Sequence, residues 1–446
     1  MADRTRRVAI VGGGFSGAML AARLAERGVA SILIDRTGAF GLGVAWSTPF
    51  DGHLLNVRSD RMSAIEGRPD DFVAWLEACA GRPAEPDGFA PRRVYGQYLQ
   101  DRFDTVRSAV PPGMMDTVTG EAVAIEGSRV RLADGRRIEA DAVVLASGNP
   151  APGTTGAFNG AGTGRVIPDP WAAGAVERIG ADDDVILIGT GLTMVDMMLA
   201  LKARGWRGRA TAVSRRGLTP RAHGAVHEAG VSPTREMLSG PPSRRLRAAR
   251  RLAEAQGWRP VMEGLRPLTA DLWREADAAT RSRWLRHLRP WWDVHRHRIP
   301  VGIAATMDAL MAEGRLRVVA GRVQRIHEGA DGVQLDWNQR GGGEGEPLTG
   351  GWLIDCSGPG HDVAAHPLTR ALIASGRARP DALGLGLELD ADGRVLGADG
   401  ASDPGLFVLG PPARAAFWET VAVPDIRKRI EDMVERLAAL QASASR

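Results

Sequence analysis

Short apolar runs that pass into glycine punctuate this chain. Val8-Ala9-Ile10-Val11 leads into Gly12-Gly13-Gly14-Phe15-Ser16-Gly17, and Val185-Ile186-Leu187-Ile188 leads into Gly189-Thr190-Gly191-Leu192-Thr193-Met194. Such runs lack the alternation of a half-exposed strand and predict strands buried on both faces. Behind the first glycine turn, Ala18 to Arg27 carries its polar residues on one side and stops at Gly28, which predicts a helix with a glycine C-cap. Ser31-Ile32-Leu33-Ile34 then predicts a second strand, as Ala210-Thr211-Ala212-Val213 does after the second turn. The pattern further predicts a helix over Asp70–Leu76 and β segments over Thr117–Ile125 and Arg129–Leu132. It predicts one long returning strand over Ile138–Gly148. Gly351–Pro359 repeats the returning shape, Gly405–Pro411 is a further strand, and Pro424–Leu440 predicts a closing helix.

Strand, glycine turn and helix in that order form the context a dinucleotide fingerprint requires. In the first, Gly12 permits the tight turn, Gly14 lets backbone approach a pyrophosphate, and Gly17 permits close helix–strand packing. Asp35 ends the second strand, about 20 residues on, where a carboxylate can grip ribose hydroxyls. The second fingerprint departs twice. Met194 replaces the third glycine, and the following strand ends in Ser214-Arg215-Arg216-Gly217 instead of an acid. A serine and two guanidiniums welcome a 2′-phosphate where an acid would repel it, so the expected ligand is NADPH, with NADH as the alternative.

Composition narrows the class. The chain has 446 residues, enough for two or three domains with a sizeable core. No run resembles a membrane span, and the first apolar run is a strand too short and too early for a secretory signal, so a cytoplasmic protein is expected. Cys79 and Cys356 stand far apart, outside any C-x-x-C, which argues against disulfide exchange. Net charge is only +4, and Lys202 and Lys428 are the only lysines. The dense Arg244–Arg251 stretch has helical spacing and reads as a solvated face, so neither nucleic acid nor membrane is expected as a partner.

The expected fold is α/β: two Rossmann-like dinucleotide-binding domains, the first discontinuous, the second inserted into it. The boundaries read are 1–155, 156–355 with a helical insertion at about 224–300, and 356–446, with Pro150, Pro152 and Gly153 marking an exit linker. The insertion carries Trp258, Trp273, Trp284, Trp291 and Trp292 and ends in His295-Arg296-His297-Arg298. It reads either as a packing lid or as a cap that binds a polar, anionic substrate through Arg and His. His295 and His297 are two apart and do not share a helix face, so no metal site is expected.

Several segments carry a resemblance. Gly12–Gly17, Gly43-Val44-Ala45-Trp46 with Leu54-Leu55-Asn56-Val57, Gly189 to Asp196, Ser214–Gly217, and Phe417-Trp418-Glu419-Thr420 with Ala422-Val423-Pro424 together resemble a bacterial family of FAD/NAD(P)-binding proteins. That family is related to the two-dinucleotide flavin monooxygenases and includes urate hydroxylase-like members. The resemblance implies FAD at the first turn and a nicotinamide at the second. It implies a flavoprotein monooxygenase that hydroxylates a small nitrogen-containing substrate, urate or an amine, with molecular oxygen through a flavin hydroperoxide. The alternative is a flavin oxidoreductase that passes electrons without inserting oxygen. Asn56 is the catalytic candidate, beside the flavin ring. Phe15, Ser16, Arg36, Trp46, Met62 and Ser63 are expected FAD contacts, as are Val123, Ser147, Gly148, Gly410 and Pro411. Trp418, Glu419 and Thr420 are placed at the pyrimidine end of the flavin, and Gly189, Thr190, Gly191, Leu192 and Thr193 at the nicotinamide cofactor.

Overall fold

A computed structural model describes residues 7–79, 85–150, 164–360 and 362–443. The expected boundary at 155/156 and the Pro152–Gly153 linker lie outside these residues. Two parallel-cored sheets organise the molecule. The first has six strands, in the order Arg394–Leu396, Ser402–Val408, Ala142–Leu145, Arg7–Val11, Ala30–Asp35 and Met115–Thr119. All but the first of these run parallel to their neighbours, and Arg394–Leu396 pairs antiparallel at the edge. Strands from both ends of the chain therefore share one sheet.

The second sheet has seven strands, drawn from residues between Val166 and Asp355. Val185–Ile188 lies within it between Ala210–Ser214 and Trp352–Asp355, all parallel. That strand is buried along its whole length, as is Ala142–Leu145 in the first sheet, which explains their unbroken apolar sequences. Antiparallel strands Val333–Gln339 and Leu348–Gly350 extend one edge.

Helices cover the sheets. Phe15–Glu26 buries ten of its residues between the first sheet and the closing helix Val423–Ser443, whose Ile426, Ile430, Met433, Val434 and Leu437 join the same core. Arg23 bonds Glu431 at 2.6 Å across that contact. Six α-helices lie between Arg235 and Arg296, within the stretch from 224 to 300. On the Arg244–Arg251 helix only Ala248 is buried, and Arg244 and Arg251 both pair with Glu236 on the surface.

Two sequence expectations are corrected. Thr117–Ile125 is not one segment: Met115–Thr119 joins the large sheet, while Ala122–Glu126 enters a separate three-stranded sheet with Arg129–Leu132 and Arg137–Glu139. Ile138–Gly148 divides likewise, and Asp141 makes the break by accepting from the Arg7 amide at 2.8 Å while its own N–H donates to the Arg7 carbonyl at 2.9 Å. Apolar periodicity marks which residues are buried but not which sheet buries them.

Candidate functional site

The first glycine turn is built by close approach. Gly12 has φ +113°, and a Cβ there would lie 2.3 Å from the Ala146 carbonyl oxygen at the end of the returning strand. A Cβ on Gly17 would lie 1.9 Å from the Gly12 carbonyl, so glycine here lets the helix seat on the strand. Gly410 has φ +77°, and a Cβ there would meet the Ser16 hydroxyl at 2.5 Å. The turn, Ser147 and Gly410 thus converge at the carboxyl ends of adjacent parallel strands, where ligands of such sheets bind. No side chain caps the helix that starts at Phe15, and a Cβ on Gly14 would touch only Gly43, at 3.4 Å. Uncapped N–H groups at a helix start favour an anion.

Asp35 does more than the sequence suggests. One carboxylate oxygen accepts from the Gly13 amide at 2.8 Å, and the other takes the Thr37 amide and hydroxyl at 2.8 and 2.7 Å. The acid braces the turn. Arg36 is exposed, Gly148 follows the returning strand at φ +71°, and Pro411 opens a short 3-10 turn. Val123 falls at the register shift between Ala122 and Ala124. Met62 is core, Ser63 is fully buried with its hydroxyl bonded to the Ile65 backbone, and Trp46 packs edge-on against Tyr95 at 4.7 Å.

The second turn repeats the device. Gly189 has φ +102°, and a Cβ there would lie 2.4 Å from the Cys356 carbonyl oxygen, while Gly191 faces open space. Thr190 is bonded to the Ser214 hydroxyl at 2.9 Å, and Ser214 also accepts from the Gly217 amide at 3.1 Å. Leu192 starts the helix and Met194 is buried in the core beneath it. Arg215 is exposed at the strand end, whereas Arg216 donates to the Arg286 carbonyl at 2.8 Å and ties the turn to the insertion.

A joint the sequence reading missed connects the two halves. Asp196, one turn into the second glycine helix, is buried and pairs with Arg92 at 2.9 Å. His53 Nε2 donates to the Asp196 carbonyl at 3.0 Å, and its Nδ1 meets the Thr48 hydroxyl at 2.7 Å. Burial raises the Asp196 pKa against the pull of Arg92 and lowers that of His53. The available signal was a lone acid inside Met194-Val195-Asp196-Met197-Met198, since a carboxylate buried in an apolar helix needs a cationic partner.

The insertion straps the first half at two places. Trp292 Nε1 donates to Glu419 at 2.9 Å, Trp273 Nε1 to the Ala415 carbonyl at 2.8 Å, and Trp273 stacks on Trp418 at 4.6 Å. Trp418 has φ +53°, the sole non-glycine residue in that region among the described residues. Strain of this kind persists where surroundings enforce it, and it concentrates at functional sites. Thr420, 1% exposed, has an unpartnered hydroxyl. At the other place, His223 Nε2 donates to the Asn56 carbonyl at 3.0 Å and Arg58 to the Gly224 carbonyl at 2.7 Å. Burial pushes the His223 pKa down to about 4, so the ring is neutral at pH 7. Asn56 lines the cleft between these elements.

Residues 9–150 match the profile of a family described as FAD-NAD(P)-binding. The chain matches no curated protein sequence. A cadaverine monooxygenase of desferrioxamine biosynthesis from Erwinia amylovora, solved with FAD, aligns at TM-score 0.68 and 13% identity, over 97% of this chain and 94% of that one. An ornithine N-hydroxylase from Kutzneria sp. 744 aligns at TM-score 0.67 and 15% identity, over 98% and 100%. An L-lysine 6-monooxygenase from Pseudomonas syringae gives 0.64 and 16%, over 97% and 99%. The likeness is one of fold, and it runs over at least 94% of each chain. Among the described residues, no helix is long and apolar enough to cross a membrane.

Proposed function

We propose that this chain is an FAD-dependent, NAD(P)H-consuming monooxygenase that oxygenates the nitrogen of a small amine. The observation that carries the reading is the pair of glycine turns at the carboxyl ends of two parallel sheets, joined by a buried ion pair. The first half consists of the segments before and after the inserted one, in the division set out from the sequence. Solved proteins of this fold are named for cadaverine, ornithine and lysine, which favours an amine over urate.

The residues fit both cofactors. The cradle from Gly12 to Gly17 would hold the FAD pyrophosphate, with Asp35, Ser147 and Gly410 around it. The strained Trp418 and the unpartnered Thr420 hydroxyl would meet the ring. Gly189–Thr193 would hold the nicotinamide cofactor, with Arg215 free to reach a 2′-phosphate. Bound at the first turn, FAD would supply the redox chemistry of oxygen insertion, with the nicotinamide as its source of hydride. The chain's own work is placement. Arg92 and Asp196 fix the second glycine helix against the first half, and the tryptophans of the insertion exclude water from the Trp418 side. Asn56, whose amide both donates and accepts, is assigned to orient the reacting group.

The test is product analysis. Flavin-loaded enzyme given NADPH, ¹⁸O₂ and a panel of small amines should convert one amine to a labelled hydroxylamine in proportion to NADPH consumed. Rapid NADPH-driven reduction of an artificial acceptor, with no labelled product from any amine, would favour the electron-transferring oxidoreductase.

A further inference from the structure

The cleft beside Asn56 is lined by Arg58, Arg61, Arg259, Arg266, Arg296 and Arg298, against Glu228 and Glu263 as its carboxylates. Arg58 and Arg61 come from before the insertion and the other four from within it, so the cleft exists only in the assembled fold. Arg296 and Arg298 are 7% and 6% exposed; the Nε of Arg298 has no hydrogen-bond partner, and that of Arg296 faces only Glu419, 3.5 Å away. Burying an unmet guanidinium N–H is costly, and native structures leave few such groups without a purpose.

The carboxylates nearby do not use up this charge. Arg266 and Arg296 share Asp425 from behind the cleft at 3.3 and 3.4 Å. Arg296 stands 3.5 Å from Glu419, Arg58 3.6 Å from Asp87, and Arg259 3.9 Å from Glu228. These are loose contacts, longer than charge-assisted bonds prefer. Glu263 is the exception. Burial alone would raise its pKa, but Arg298, Arg266 and Arg61 hold it below the usual value, so it stays ionised and engages Arg298. Burial lowers the pKa of Arg296 and Arg298. His223 is neutral and adds no charge, but with Nε2 donating to Asn56 its Nδ1 is an acceptor.

We infer that this cleft is an oxyanion subsite, which binds a carboxylate or phosphate group carried by the small-molecule ligand. Forked guanidiniums suit either group, and two or more such forks favour a ligand with at least two negative charges. The source of the oxyanion is the substrate. That assignment rests on the proposed monooxygenase reading; the binding itself does not need turnover.

The experiment is calorimetric titration of flavin-loaded enzyme, without NADPH, using citrate and inorganic phosphate as probes. Saturable binding of either is expected, weakened about 10-fold or more by R298Q, as loss of a charge-assisted bond predicts. Arg61 lies at the rim with 37% of its side chain exposed, so R61Q should fold normally and weaken binding as well. R207Q, which alters a surface pair with Asp182, should change nothing. Binding that persists in saturating NADP⁺ supports a substrate subsite. Abolition by NADP⁺ would show that the cleft serves the dinucleotide's own phosphates and overturn the inference. So would no binding of either probe, or equal binding by R298Q and R61Q. None of these outcomes depends on whether an amine is hydroxylated.

Discussion

The two glycine turns do the same mechanical work with different chemistry. Each begins with a positive-φ glycine whose missing Cβ makes room for a carbonyl of the returning strand, Ala146 in one and Cys356 in the other. Each is also tied to the end of its second strand. At the first turn the tie is a hydrogen bond with a charged acceptor, from the Gly13 amide to Asp35, whereas at the second both partners are neutral, Thr190 and Ser214. A neutral brace leaves the second turn without a fixed negative charge, and Arg215 stands exposed beside it. The difference teaches that the acid's absence is not a loss of support; it removes a charge that would repel a 2′-phosphate.

The largest effect expected is from G17A. Its Cβ would meet the Gly12 carbonyl at 1.9 Å, so the helix must lift from the strand; flavin content and melting temperature should both collapse. Gly191 has no atom within 4 Å of a built Cβ, so G191A should keep flavin and melting temperature and weaken NADP⁺ binding by calorimetry. Next is the joint between the halves. R92A leaves Asp196 buried without its cation, which should cost about 3–5 kcal/mol in denaturant unfolding. R215A should raise the KM for NADPH by about 10-fold and leave that for NADH unchanged, while R216A should do less, because Arg216 is committed to the Arg286 carbonyl. Equal effects of R215A on both cofactors would remove the phosphate-clamp reading. The smallest effect is pH dependence. His223 and His297 have folded pKa values pushed down to about 4 by burial, from 6.5. The unfolded chain binds more protons between these limits, so stability should be full above pH 6.5 and fall as pH drops toward 4. Unfolding free energies measured across that range check the sign.

What was legible in the sequence is what is local. Strand, glycine and helix follow one another within a few residues, so Gly12, Gly17 and Gly189 announce their roles without tertiary information. Asp35 ends the second strand as the pattern predicts, but its bond to Gly13 was not readable, because ribose and backbone amide compete for the same carboxylate. The joint of His53, Arg92 and Asp196 spans more than a hundred residues, and only the oddity of an acid in an apolar helix hinted at it. The cleft was half visible. Arg296 and Arg298 lie in the stretch singled out as able to bind an anion, but Arg58 and Arg61 come from a short 3-10 turn whose neighbours are set by folding.

Anaerobic addition of NADPH to purified wild-type, Gly14→Val and Gly191→Val proteins tests most directly that the two turns hold two different dinucleotides. The account predicts a bound oxidised flavin spectrum in the wild type that NADPH bleaches, no flavin in Gly14→Val, and flavin that NADPH fails to bleach in Gly191→Val. Flavin retained by Gly14→Val, or lost from Gly191→Val with its fold intact, would contradict it.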